Sequence, residues 1–482
     1  MQHSANGWTI RHLADGAALA FGLAALAWLA MVVVRMAVSP APQEMREGAL
    51  VLTTLALLDG RNPYASAVSA GGNLYGILYP LVVAPAALLF GPGLATHRVV
   101  ACAGIGLAAW LVWRGARNAG AERLPAALAV VLSAAGWLYW VGPTVRPDGI
   151  GLACLIGALV VAAPDPASWR RFAIALALSL AGFAAKIYFV GGILIVAAHV
   201  ALFRGWWRGV AMGVAALAAI ALWAGLLALL MPGWAILVLG ANLGATSYDV
   251  GHLLRQSWDW AVFSLPLLAG LAVALAGLQR SRWGGQEGFW GFAALCGLAA
   301  LLASLGGHGG AHMTYFFHLL TPPLAIAVAA ATGKREAPTR AMVLVLPIAV
   351  LLNAHWFVID PSRFAPAEAR FAIAAEALAK ARNPLVTTEF AALAALSGHV
   401  PLETGHSEYM LAPEEQARLR ARIAADLAAR RIDLAIVNRN NGGLVHARDV
   451  EAAGYIRLVP LPVDLVWAMQ HWEADIWVPP QR

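Results

Sequence analysis

The constraint that decides what this chain can become is a series of long apolar runs separated by short polar segments. They cover residues 17–38, 99–113, 126–140, 149–163, 172–185, 187–203, 210–231, 260–278, 289–305, 315–332 and 341–357. A bilayer's hydrocarbon core is about 30 Å thick and takes about 20 helical residues to cross, with shorter runs tolerated. Backbone N–H and C=O groups at that depth must find partners within the protein, so the runs are expected as helices. Hydrophobic residues make up 60% of the chain and charged residues only 12%, a balance that excludes an ordinary soluble protein. The expectation is an α-helical polytopic membrane protein.

Residues 74–90 form a twelfth run, and its behaviour sets the topology. If it crossed fully, every later basic loop would be inverted. If it lies in the outer interface or re-enters, Arg114/Arg117/Arg123, Arg170/Arg171, Arg204/Arg208, Arg280/Arg282 and Lys334/Arg335/Arg340 all fall on the cytoplasmic side, as the positive-inside rule prefers. Pro80 and Pro85 interrupt the run and suit a broken, embedded helix. The reading is about 11 transmembrane helices, with the N-terminus inside and the C-terminus outside. The first span is expected to be retained, since no small-residue cleavage site follows it at the right distance.

The net charge of +7 then reports topology, with no nucleic-acid partner implied. Cys102, Cys154 and Cys296 lie inside apolar runs without CxxC pairing, which indicates neither a disulfide framework nor a metal cluster. From about residue 359 the composition becomes that of a small soluble domain. Residues 365–382 and 412–431 read as amphipathic helices, and 432–437 and 472–478 as strands. The predicted division is a transmembrane part over 1–358, with an outer first loop at 39–96, and an extracytoplasmic α/β domain over 359–482.

This topology gathers the polar chemistry on the outer side. Glu44 and Glu47 fall three apart in a segment read as a helix over 44–58, which would set both acids on one face at the membrane surface. A pair of solvated acids on a surface helix is the plain alternative to a catalytic base. Arg146 and Asp148 stand at a span entrance, where they either pair with each other or meet a phosphate and orient an acceptor or a metal. Lys186 stands at an outer turn between spans; snorkelling is the plain reading and an anionic partner the functional one. His308 and His312 lie in a glycine-rich outer segment without a clear third ligand, so no metal site is assigned. His97 and Arg98 open the second span as a further outer cation pair. Walker A, GxGxxG, GxSxG and HExxH motifs are all absent from the sequence.

The order of these features resembles the GT-C superfold, in particular the protein-mannosyltransferase-like and lipid-A-sugar-transferase-like bacterial glycosyltransferases. The resemblance rests on the acidic first loop, Gly60-Arg-Asn-Pro-Tyr64, Tyr75-Gly-Ile-Leu-Tyr-Pro80, Leu89-Phe-Gly91 with Arg98 after it, Arg146-Pro-Asp148, Lys186 and Gly310-Ala-His-Met-Thr-Tyr-Phe317. Thr314 stands where that family usually shows Asn, and Arg46-Glu47 where it often shows Asp-Glu. The resemblance implies an inverting glycosyltransferase that moves a sugar from a polyprenyl-phosphate donor to an extracytoplasmic acceptor. It assigns Glu47 as the base, with Glu44 and Asp148 as further catalytic candidates. Lys186, Arg98, Arg146 and His312 would meet the donor phosphate, and Tyr64, Tyr75, His308 and Tyr315 would line the substrate. The implied partners are a polyprenyl-phosphate-linked sugar, the acceptor and membrane lipids; no cofactor is certain, and a divalent cation is the one candidate. The implied location is a bacterial inner membrane with the site on its periplasmic side. A lipid or polyol transporter or flippase, or a non-catalytic scaffold, are the rival readings.

Overall fold

A computed structural model describes residues 31–44, 46–65, 73–140, 144–240, 283–307, 316–332, 364–387, 390–401, 413–439, 444–464 and 471–480, with individual positions between 16 and 30 and between 250 and 258. The apolar runs expected at 260–278 and 341–357, and nine of the 22 positions of that at 17–38, lie outside the described residues.

The first helix, α1, is described continuously over 30–38. It is followed by α2 (Glu47–Leu58), α3 (Leu78–Phe90), α4 (Leu94–Asn118), α5 (Arg123–Trp140), α6 (Asp148–Ala162), α7 (Trp169–Ala185), α8 (Gly191–Phe203), α9 (Trp206–Leu230), α10 (Gln286–Gly307) and α11 (Thr321–Thr332). Among the described residues three helices are long and apolar enough to cross a membrane, Leu94–Asn118, Trp206–Leu230 and Gln286–Ala303. With the composition, they mark an integral membrane protein. The 13 residues of α3 rise about 20 Å, well short of a bilayer core of about 30 Å. Pro85 lies inside α3, and Leu88, Leu89 and Phe90 at its end are exposed.

Two helix pairs set the positions of the polar residues. Along α4 and α6 the glycines show a parallel, close-packed pair: a Cβ added at Gly104 would stand 2.7 Å from the carbonyl carbon of Gly149, and one at Gly157 would meet Leu111. Helix α7 returns antiparallel to α6, with Gly182 beside Cys154 near one end and Arg171 donating to the carbonyl of Val161 at the other. The start of α4, the start of α6 and the end of α7 therefore lie together. His97 and Arg98, expected to open the second span, are the fourth and fifth residues of α4, which begins at Leu94. Both side chains are buried, so they are not a solvent-facing cation pair.

The C-terminal part comprises α12 (Phe364–Lys380), β1 (Pro384–Val386), α13 (Ala391–Leu396), α14 (Pro413–Ala428), β2 (Leu434–Asn438), α15 (Ala447–Ala452), β3 (Ile456–Asp464) and β4 (His471–Val478). The sheet order is β1-β2-β4-β3, parallel between β1 and β2 and antiparallel elsewhere. All five residues of β2 are buried, because α12 and α13 cover one face and α14 and α15 the other. Pro460 and Pro462 lie on β3, an edge strand, where a missing N–H costs no ladder bond.

This part grips the first helix and the loop after it. Ala41 is buried in the same cluster as Phe371, Leu378, Ile436 and Ile476. Val32 and Met36 of α1 pack on Phe364 and Ala367. Glu368 accepts from Arg35 and from the Ser39 hydroxyl. Helix α13 rests on α2 so closely that a Cβ at Gly48 would meet the Ala392 nitrogen at 2.8 Å.

Two outcomes follow from this packing. Gly104→Ala overpacks the α4–α6 contact and should cost about 1–3 kcal/mol. Gly106→Ala, with open space around it, should be neutral or gain up to about 1 kcal/mol. Thermal unfolding of the purified variants in one detergent compares them. The hydrogen bond and charge of Arg35 hold the Glu368 carboxyl below its ordinary value of 4.5. A carboxyl depressed on folding stabilises above its unfolded value and loses that contribution as pH falls through the folded one. The stability gap between the unmodified protein and Glu368→Gln should therefore be present at pH 7 and close in a pH series that runs below 4.5.

Candidate active site

Sequence placed Glu44 and Glu47 on one helical face in water. The structure separates and buries them. Helix α2 begins at Glu47, leaving Glu44 in the turn ahead of it, and the two are 3% and 0% exposed. The reason is the loop at 39–44, pressed between the C-terminal sheet and the first turn of α4.

Arg98 reaches from α4 into that loop and uses every N–H it has. Its Nε and Nη2 donate to the two oxygens of Glu47 at 2.9 and 2.8 Å. The remaining donors go to the carbonyls of Met36, Ser39 and Ala41. Glu47 is equally occupied: besides Arg98 it accepts the backbone N–H of Gln43 at 2.7 Å and that of Val145 at 2.9 Å. A guanidinium has five N–H donors and a carboxylate about four acceptor positions, so neither group retains capacity for a substrate. The expected roles of Glu47 at a water interface and of Arg98 as an outer phosphate contact do not fit this geometry. His97 is committed too, to the Gly93 carbonyl and the Thr54 hydroxyl.

The polar groups with spare capacity lie one step further along. Arg146 donates to Glu44 at 2.8 Å, while its Nε has no hydrogen-bond partner among the described residues. Asp148, the first residue of α6, accepts through Oδ1 from Lys186 at 2.6 Å and from the Tyr188 hydroxyl at 3.1 Å. Its Oδ2 is buried without a partner among the described residues. The Tyr188 hydroxyl also meets His318 Nδ1 at 2.7 Å, and Lys186 Nζ stands 4.6 Å from the centre of the Tyr75 ring. Of the two alternatives left open for Arg146 and Asp148, mutual pairing is not seen; each takes another partner, in the pairs Glu44–Arg146 and Asp148–Lys186.

Local sequence explains the arrangement. Helix α7 stops where Lys186 turns extended, at φ −150° and ψ 138°, and a 3-10 turn over Ile187–Val190 precedes α8. That break turns Lys186 and Tyr188 toward the start of α6, while Phe189 packs against Gly151, where any side chain would block it. The backbone N–H of Gly76 donates to the Ala185 carbonyl, which seats Tyr75 beside Lys186.

Of the residues singled out from sequence, Glu44, Arg146, Asp148, Lys186 and Tyr75 come together. Tyr64 does not join them; it is buried and donates to the Tyr75 carbonyl. His308, His312 and Tyr315 lie outside the described residues. Sequence reasoning missed Tyr188 and His318. Their signal was a hydroxyl two residues after Lys186 and a buried ionisable residue within the run at 315–332, where such a residue is costly unless it is used. Among the described residues no three His, Cys, Asp or Glu side chains converge as metal ligands.

No family model and no curated protein matches this sequence. Solved structures do match it. ArnT from Cupriavidus metallidurans bound to undecaprenyl phosphate is similar with a TM-score of 0.60 and 13% identity, over 99% of this chain and 100% of that one. The same protein in its apo state gives a TM-score of 0.60 at 13% identity, over 96% and 100%. This chain has the GT-C fold. The likeness runs through both the helical part and the C-terminal part, so the polar cluster lies within the shared fold.

Removing one member of a fully buried ion pair leaves the other charge uncompensated, at a cost of about 3–5 kcal/mol. Arg98→Met should lower stability by that amount, with unfolding in detergent as the measurement. Arg146→Met, whose partner Glu44 keeps the Arg46 backbone N–H, should cost less.

Proposed function

We propose that this protein is an inverting glycosyltransferase that moves a sugar from a polyprenyl-phosphate donor to an extracytoplasmic acceptor. The observation that carries the proposal is the Asp148 carboxylate. One of its oxygens is held by Lys186 and Tyr188, and the other is buried without a donor among the described residues. That is the state expected of a base awaiting a hydroxyl, next to two cations that suit a phosphate. The GT-C fold and the undecaprenyl phosphate bound to its ArnT neighbour support the donor class.

In this reading the acceptor hydroxyl gives its proton to Asp148 Oδ2 as its oxygen bonds to the anomeric carbon. The bond from that carbon to the phosphate oxygen breaks on the opposite face, through an oxocarbenium-like transition state. The charge that develops on the departing polyprenyl phosphate is met by Lys186 and Arg146, a preorganised stabilisation of about 2.7–4 kcal/mol per donor. Single displacement inverts the anomeric configuration. Glu44 orients Arg146, and Tyr75 and Tyr188 flank Lys186 on the donor side. His312 remains a proposed contact to the donor phosphate, and His308 and Tyr315 proposed substrate contacts. The helical part over 1–358 is proposed to sit in a bacterial inner membrane with about 11 spans. The cluster and the part over 359–482 then face the periplasm.

The test is transfer of labelled sugar from a total polyprenyl-phosphate-sugar extract to membrane lipids, at matched expression. Asp148→Asn should lower transfer by about 100- to 10,000-fold, the range general acid–base catalysis spans. Lys186→Met should lower it by about 100- to 1,000-fold. Transfer by Asp148→Asn at the unmodified rate would remove Asp148 as the base. Lipid movement across the bilayer with no new glycosidic bond would replace the enzyme with a transporter.

A further inference from the structure

We propose that Glu47 and Arg98 are positioning residues that set the spacing of the two catalytic segments and tie that spacing to the C-terminal sheet. The inference rests on the glycosyl-transfer reading of the Asp148 cluster.

The two segments that carry the cluster hang on one carboxylate. Glu47 Oε2 takes the backbone N–H of Gln43, the residue before Glu44. Glu47 Oε1 takes the backbone N–H of Val145, the residue before Arg146. Glu44 and Arg146 then meet at 2.8 Å, and Asp148 follows two residues on. The separation between the segments is therefore fixed by the width of a carboxylate, and Arg98 fixes the carboxylate by gripping both of its oxygens.

The same guanidinium takes a third input. Its other donors go to the carbonyls of Met36, Ser39 and Ala41. Ala41 is buried in the core of the C-terminal sheet, and the Ser39 hydroxyl is held by Glu368 on α12. A shift of the C-terminal part therefore moves the three carbonyls that orient Arg98. Two links complete the path to the base: Arg98 to Glu47, and Glu47 to the Val145–Asp148 segment. An acceptor that displaces the C-terminal part on binding would change the catalytic spacing by this route, and no direct contact with the base is needed.

Glu47→Asp separates positioning from the alternatives, because it keeps the charge and draws the carboxylate back by one methylene. The shortened side chain cannot reach Arg98, Gln43 and Val145 together. A displacement of about 1 Å in a reacting group can cost about 100-fold, and a loss of that order in initial transfer rate is expected. The acidic limb of the pH–rate profile should stay where Asp148 sets it. Glu368→Gln, on the far side of the clamp, should lower the rate by about 2- to 30-fold, the span seen for substitutions along a coupled network. Combined with Glu47→Asp, its effect should be less than multiplicative.

A Glu47→Asp enzyme that is less stable but transfers at the unmodified rate would overturn the proposal, since the pair would then be structural only. A shifted acidic limb would also overturn it, by making Glu47 the proton acceptor. Should Glu47→Asp not fold, Glu368→Gln decides alone, and an unchanged rate refutes the link. Asp148→Asn run in parallel separates this proposal from its premise: an active Asp148→Asn sinks the choice of base whatever Glu47 does.

Discussion

Among the described residues, the buried polar side chains gathered at the starts of α4 and α6 are arranged around one ion pair. Arg98 and Glu47 have no contact with solvent, and removing two such charges from water costs several kcal/mol each. The structure offsets that cost by complete satisfaction. All five guanidinium donors find oxygen, and both carboxylate oxygens accept from Arg98 and from a backbone N–H. A pair so enclosed has no capacity left for chemistry. Its consequence is geometric: α1, the loop after it, α2, α4 and the segment entering α6 are all joined at one point.

The division of labour among the acids follows from their surroundings. Glu47 is saturated, Glu44 is shared between Arg146 and the Arg46 backbone, and Asp148 keeps one oxygen without a donor among the described residues. Three carboxylates of similar intrinsic acidity thus take three roles, as brace, as partner to a cation and as proposed base. The C-terminal sheet takes part in this order, because it buries Ala41 and leans α13 on α2. It covers the loop that carries Glu44 and the start of α2 that carries Glu47.

Much of the architecture was legible in the sequence because its signals are periodic and local. Within the described residues the apolar runs gave the helices to within about six residues, and α/β patterning gave α12, α14, β2 and β4. The short strand β1 and the proline-bearing edge strand β3 carried no alternating pattern and were missed. Among the residues of the polar cluster, Arg146, Asp148 and Lys186 were visible because a charge beside an apolar run needs an explanation. Their pairing was not visible. It depends on α4 and α6 running parallel at glycine-to-backbone distance and on α7 returning to the same end. The i, i+3 spacing of Glu44 and Glu47 misled because a helix was assumed to begin at Glu44, whereas α2 begins three residues later. The spacing that counted was between Gln43 and Val145, which are 102 residues apart and meet on one side chain.

The most direct test of this account is a structure of the protein with undecaprenyl phosphate bound, determined by electron cryo-microscopy in a lipid nanodisc. The account predicts the phosphate within hydrogen-bond reach of Lys186 Nζ or the Arg146 guanidinium, with the Arg98–Glu47 pair unbroken behind it. A phosphate seated on Arg98, with Glu47 released from it, would contradict the account and return Glu47 to the reacting centre.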